Sequence, residues 1–226
     1  MSQPARRYTS EIRDEQARRT RRAIVAAAHD LFLARGYAAT TVDAIAQAAH
    51  VSRRTVFNSA GGKAALLKLA WDWAIVGDDE PIPLADRPAV KAIQAEPDPH
   101  KALALWAQMV VEIAARAAPI AEVLTAAADA DADAAQLAAD ADRDRMFGAT
   151  AFTRYLASRD GLAPGITRQY AADLCWALMD AHLYRLLVTQ RGWTAADVTQ
   201  WLSSSLAATL LRTPMSEDPP PNRRHP

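Results

Sequence analysis

From Arg19 to Arg35 the apolar residues Ile24, Ala28, Leu31 and Phe32 recur at i, i+4, i+7 and i+8, which lays them along one face of a helix. Gly36 follows as a C′ residue able to take the positive φ that ends a helix. Thr40 is then placed to N-cap a second, short helix, with Asp43 three positions on as a weak capping box and Val42, Ile45, Ala46 and Ala49 as the buried face. A tight break follows at His50-Val51, and His is one of the few non-glycine residues enriched at positive φ. Ser52 can N-cap a third helix, from Arg53 to about Ser59, which Gly61-Gly62 ends. Lys63 to Val76 reads as a fourth helix with Leu66, Leu67, Ala70 and Trp73 or Ile75 in its apolar stripe.

Residues 77–99 change character. Pro81, Pro83, Pro88, Pro97 and Pro99 forbid a long helix, although Pro88 suits the first position of a short one that runs to Ala95 and buries Val90 and Ile93. Beyond His100 the periodicity predicts helices over 100–117, 119–127, 131–158, 167–190 and 194–212, and no strand pattern occurs. Residues 1–18 have no apolar period and read as a mobile basic arm carrying Arg6, Arg7, Arg13 and Arg18; residues 213–226 read as a disordered proline-rich tail. The expected architecture is all-α: the arm 1–18, a three-helix head 19–63, a larger helical domain 64–212, and the tail.

Composition narrows the class. Of 226 residues 50% are hydrophobic and 23% charged, enough apolar material for a sizeable core. No run of 18 apolar residues occurs and the N-terminus lacks a signal-peptide apolar region, so neither a membrane span nor secretion is expected. The single cysteine, Cys175, cannot form an internal disulfide, which suits a reducing cytoplasm. The net charge of zero conceals a split: residues 1–70 carry 12 Lys+Arg against 5 Asp+Glu, and the remainder carries 14 against 21. A basic end on an acidic body points to a polyanion at one end and a different role at the other.

The second and third helices form a helix-turn-helix, whose second helix enters the major groove while the first braces it. Arg53 and Arg54 open that helix, and an arginine fork can bond O6 and N7 of guanine together. Thr55, Ser59 and Lys63 offer hydroxyls and an ammonium to phosphates, and the helix N-termini at Ser52 and Lys63 add amide donors. An Arg pair on a helix is, by itself, more often a solvated face.

The combination decides between these readings. Ala27-Ala28…Leu31-Phe32…Arg35-Gly36-Tyr37, then Thr40-Thr41-Val42…Ile45-Ala46, then Val51-Ser52…Thr55-Val56-Phe57, and finally Lys63…Leu66 resemble the DNA-binding domain of the TetR family of transcriptional regulators, over about Arg21 to Leu67. The chain departs from the family's usual pattern at His50 (Gly), Phe57 (Tyr), Ser59 (aromatic or His), Ala60 (Phe) and Ala64 (Glu), and its Gly-Gly-Lys segment resembles an actinobacterial-type subgroup. The resemblance implies DNA contacts from Thr41, Ser52, Arg53, Arg54, Thr55, Phe57, Asn58, Ser59 and Lys63. It implies a cytoplasmic homodimer on a palindromic double-stranded operator, most simply a repressor released by a small apolar or aromatic effector.

Candidate pocket residues on the central helices are Trp106, Met109, Ile113, Phe147, Tyr155, Trp176, Met179 and His182, although aromatics at helical spacing are more often plain core. For the dimer, helices 167–190 and 194–212 would form an intersubunit four-helix bundle through Asp180, Tyr184, Val198, Trp201, Leu202, Ser205, Leu206 and Thr209. Cys175, Met179 and His182 share a helical face as soft ligands for Cu(I), but no fourth ligand is evident and no metal is expected. Asp129, Asp131, Asp133 and Asp140 mimic a calcium loop whose required glycine is Ala134, so a helix start is the better reading. No GxSxG, HExxH or phosphate-cradling loop occurs, so neither an enzyme nor a cofactor is expected. The rival class is a helical ligand-binding or catalytic protein that has lost sequence-specific DNA binding, favoured only by the Ser59-Ala60 departures.

Overall fold

The computed structural model describes residues 4–212, with side chains from residue 13 onward. The expected tail 213–226 lies outside the described residues, as do the side chains of Arg6 and Arg7. Helices α1 (Pro4–Ala39), α2 (Val42–Ala48), α3 (Arg53–Ala60) and α4 (Lys63–Val76) come first. After a 3₁₀ turn at Leu84–Asp86 follow α5 (Pro88–Ala95), α6 (Pro99–Ala128), α7 (Ala132–Ser158), α8 (Arg168–Leu178), α9 (Ala181–Arg185), a π turn at Leu186–Gln190, and α10 (Ala195–Leu210). No sheet forms among the described residues; the single bridge, Leu162 with Leu211, ties the α7–α8 connection to the end of α10. No described helix is long and apolar enough to cross a membrane.

Two apolar cores are built on one shared helix. The first gathers Ile24, Ala28 and Phe32 of α1, Ile45 of α2, Val56 of α3 and Leu66 and Leu67 of α4 around Ile120, Val123 and Leu124 of α6. The second packs Leu103, Trp106 and Val110, also of α6, against Phe152 and Leu156 of α7, Cys175 of α8, and Val198, Leu202 and Leu206 of α10. Trp106 and Phe152 stack with ring centroids 4.7 Å apart.

Several expectations are corrected. The residues assigned to a mobile arm are helical from Pro4, and Glu15 pairs with Arg18 at 2.6 Å and Arg19 at 3.1 Å, one turn on. Thr40 does not cap α2: it is buried, and its hydroxyl donates to the Leu31 and Gly36 carbonyls, closing the end of α1. Thr41 is the cap, accepting from the Ala44 amide at 3.1 Å. The predicted helices 100–117 and 119–127 are one, because Ala117, Ala118 and Ile120 are all buried around Pro119 and packing overrides the local proline penalty. Conversely, the predicted helix 167–190 breaks. Asp180 turns its carboxylate onto the His182 amide at 2.8 Å, capping a new helix instead of continuing the old one.

Candidate nucleic-acid interface

The helix-turn-helix is locally well determined. Ser52 caps α3 by accepting from the Thr55 amide at 3.0 Å, and its hydroxyl lies 2.8 Å from that of Thr55. His50 takes φ 55°, the positive value expected of the turn. Val56 and Ala60 face the core, which turns Arg53, Arg54, Phe57 and Asn58 to solvent; Thr55 and Ser59 are half-buried at the edge. Phe57 is 46% exposed, an unusual place for a large ring. The Arg53 guanidinium lies 5.6 Å from the centre of that ring and 2.7 Å from the Asp43 carboxylate on α2. Arg54 makes neither a hydrogen bond nor an ion pair among the described residues. Asp43, read from sequence only as part of a cap, therefore orients one of the two candidate base readers.

Lys63 sits at the joint between head and body. Its ammonium lies 4.1 Å from the centre of the Tyr37 ring and 3.4 Å from the Ala38 carbonyl. The Tyr37 hydroxyl donates to Asp131 at 3.1 Å, and the same carboxylate caps α7 by accepting from the Ala134 amide at 3.0 Å. Burial, followed by that contact with a carboxylate, pushes the Tyr37 phenol up to about 12. The Ala134 amide, with smaller help from Tyr37 and Lys63, holds Asp131 below the usual carboxylate range. At the other end of α4, Arg116 of α6 donates to the Ala74 and Ile75 carbonyls at 3.0 Å, and Gly77 takes φ 92° directly beside it. Arg22 of α1 reaches Asp79 at 2.5 Å. The head is thus fastened to the body at both ends of α4.

Residues 24–70 match the model for bacterial regulatory proteins of the tetR family. Over these residues the head matches the TetR family. Solved structures with the same overall fold include NalD, the secondary repressor of the MexAB-OprM multidrug efflux pump in Pseudomonas aeruginosa. NalD is 21% identical with a TM-score of 0.66, over 88% of this chain and 98% of that one. The fatty acid degradation regulator FadR from Bacillus halodurans is 14% identical with a TM-score of 0.64, over 83% and 94%. Among curated protein sequences none matches the chain.

In the TetR-type body the expected sites are regrouped. Trp106, Met109, Tyr155, Trp176 and Met179 do come together, in and around the second core. The Tyr155 hydroxyl donates to the Glu96 carbonyl, and the Trp176 ring lies under Arg145 with its N–H on Asp142 at 3.1 Å. Phe147 is 72% exposed and His182 is exposed; neither they nor Ile113 joins that cluster. The break also ends the shared helical face of Cys175, Met179 and His182, and Asp131 serves as a helix cap. Of the expected dimer residues, Val198, Leu202 and Leu206 are buried inside the chain's own bundle and are not available to a partner. Trp201, Ser205, Thr209 and Tyr184 remain at least partly exposed, whereas Asp180 is paired with Arg145 at 2.6 Å.

Proposed function

We propose that this chain is a ligand-responsive transcriptional regulator that binds a palindromic operator as a homodimer and acts as a repressor. The observation that carries this reading is α3. A capped helix seated on the core presents Arg53, Arg54 and Asn58 to solvent within the basic N-terminal segment, residues 1–70. Lys63 and the first turns of α2 and α3 supply positions for phosphates around it. Dimerisation through the outer faces of α9 and α10 is supported by Trp201, Ser205, Thr209 and Tyr184, which the internal core leaves at least partly uncovered. A two-fold dimer would match an inverted repeat.

A small apolar or aromatic molecule is the proposed effector, on the strength of the aromatic and Met-rich packing around Trp106 and Phe152. An effector that opens those helices would act on DNA through α6, which also anchors the end of α4 by Arg116. DNA must then weaken effector binding by the same factor. The test is fluorescence anisotropy on the chain's own upstream DNA and on scrambled DNA across a salt series. The expected result is roughly a 10³-fold or greater preference for one palindromic segment, with affinity falling as salt rises. Equal, weak binding to every genomic segment would overturn the reading.

A further inference from the structure

A groove of about 480 Å³ runs between the C-terminal half of α7 and the first turn of α8, far in sequence from the head. Its α7 wall carries Thr150, Thr153 and Arg154, which share one helical face by their spacing; its α8 wall carries Thr167, Arg168 and Gln169. No carboxylate lines it, although residues 71–226 carry a net excess of acid. The body's other arginines are mostly engaged: Arg116 with the α4 carbonyls, Arg145 with Asp142 and Asp180, Arg185 with Glu122, and Arg212 with Asp160. Arg154 and Arg168 have neither an ion pair nor a hydrogen bond among the described residues. Both guanidiniums are solvent-exposed and sit on opposite walls of one concavity, so an anion placed between them would meet positive charge from two sides.

The donors fix the kind of anion. Thr153 spends its hydroxyl proton on the Ala149 carbonyl at 3.0 Å, whereas Thr167 accepts from the Tyr170 amide at 3.1 Å and keeps its own proton to donate. What remains is the two guanidinium forks, the Thr150 and Thr167 hydroxyls, and the Arg168 and Gln169 backbone amides, which lie in the first turn where no helical carbonyl reaches them. That is more donors than the two oxygens of a carboxylate use well, and it suits a phosphate with three or four acceptor oxygens. The volume lies within the span of about 300–1,000 Å³ usual for small-molecule sites, which leaves room for an organic portion. We infer that the α7–α8 groove is a binding site for a phosphorylated small molecule, its phosphate held between Arg154 and Arg168. The inference is independent of the DNA-binding reading.

The probe is inorganic phosphate, titrated into the full chain at constant ionic strength set with chloride, and followed by thermal melting and calorimetric titration. At roughly ten times Kd the wild-type Tm should rise by about 3–6 °C. The Arg154→Gln/Arg168→Gln double variant should lose the calorimetric signal and that increment, keeping only the general salting effect of phosphate. Each single variant should lose part of it, which keeps the result readable should the double variant melt early. Arg54→Gln, in the head, should respond like wild type. A double variant that binds phosphate as tightly as wild type, or an effect abolished by Arg54→Gln, would overturn the assignment, as would a wild type with no saturable heat.

Discussion

Replacing Tyr37 by Phe removes one hydroxyl and leaves the ring. The hydroxyl joins head to body by donating to Asp131 at 3.1 Å, and nothing else in its surroundings depends on it. The ring keeps its contact with Phe32, at 5.7 Å between centroids, and its place beneath the Lys63 ammonium. A hydrogen bond to an ionised group contributes about 1.5–3 kcal/mol, and here the low end applies. Asp131 is only half-buried and keeps the Ala134 amide, so water can take the vacated position. A loss of about 1.5 kcal/mol corresponds to a Tm lower by about 3–6 °C for a chain of this size.

The pH dependence separates this cause from a general loosening. The phenol titrates near 10.0 when unfolded and is pushed up to about 12 when folded, so the neutral form is favoured by folding. Its contribution is fully present below pH 10.0 and is lost as the pH rises through about 12. Urea denaturation of wild type and Tyr37→Phe, measured in parallel, should show a constant gap up to about pH 10 that narrows toward 12. Equal stability at neutral pH, or a gap that stays constant across that alkaline window, would refute the reasoning.

Arg53→Ala or Arg54→Ala should each relax base preference at one position by about 1–3 kcal/mol in anisotropy competition, whereas Lys63→Ala should weaken all sequences alike and flatten the salt slope. Uniform losses from all three would sink that division of labour. Asp43→Asn removes the carboxylate 2.7 Å from Arg53, so binding to scrambled DNA should tighten while selectivity falls; selectivity equal to wild type in the same competition would show that Asp43 does not orient the arginine. Arg116→Ala uncaps α4, and hydrogen exchange at residues 70–77 should accelerate ahead of the rest of the chain, with about 1–3 kcal/mol lost overall. The Cys175 thiol is buried and pushed up to about 12 by that burial, so at pH 8 a thiol reagent should label it no faster than the chain opens.

The head was legible in the sequence because its signals are local. His50, Gly61 and Ser52 each fix a backbone position through their own chemistry, and the apolar spacing of α1 and α4 leaves little choice of face. The one slip there, Thr40 for Thr41, comes from two adjacent hydroxyls that both suit a cap; only the Leu31 and Gly36 carbonyls, waiting at the end of α1, decide between them. The body was harder to read because its faces are set by partners distant in sequence. The sequence suggested one long helix over 167–190 in an intersubunit bundle, while the Asp180 cap divides it and α6 covers the inner face of α10. The same distance hid the Tyr37 contact of Asp131, the Arg116 cap on α4 and the α7–α8 groove, since each joins residues far apart in sequence.

The shared helix α6 has a consequence for how the chain folds. With 30 residues it is about 45 Å long. Ile120, Val123 and Leu124, near its C-terminal end, fill the floor of the head's core. Burying three such side chains is worth roughly 5–9 kcal/mol, comparable to the whole stability of a typical domain. A fragment cut after Val76 would therefore keep every residue of the DNA-reading motif and yet lack the means to hold its shape. Unfolding should be a single cooperative transition for both halves, and the boundary between them divides labour more than it divides the molecule.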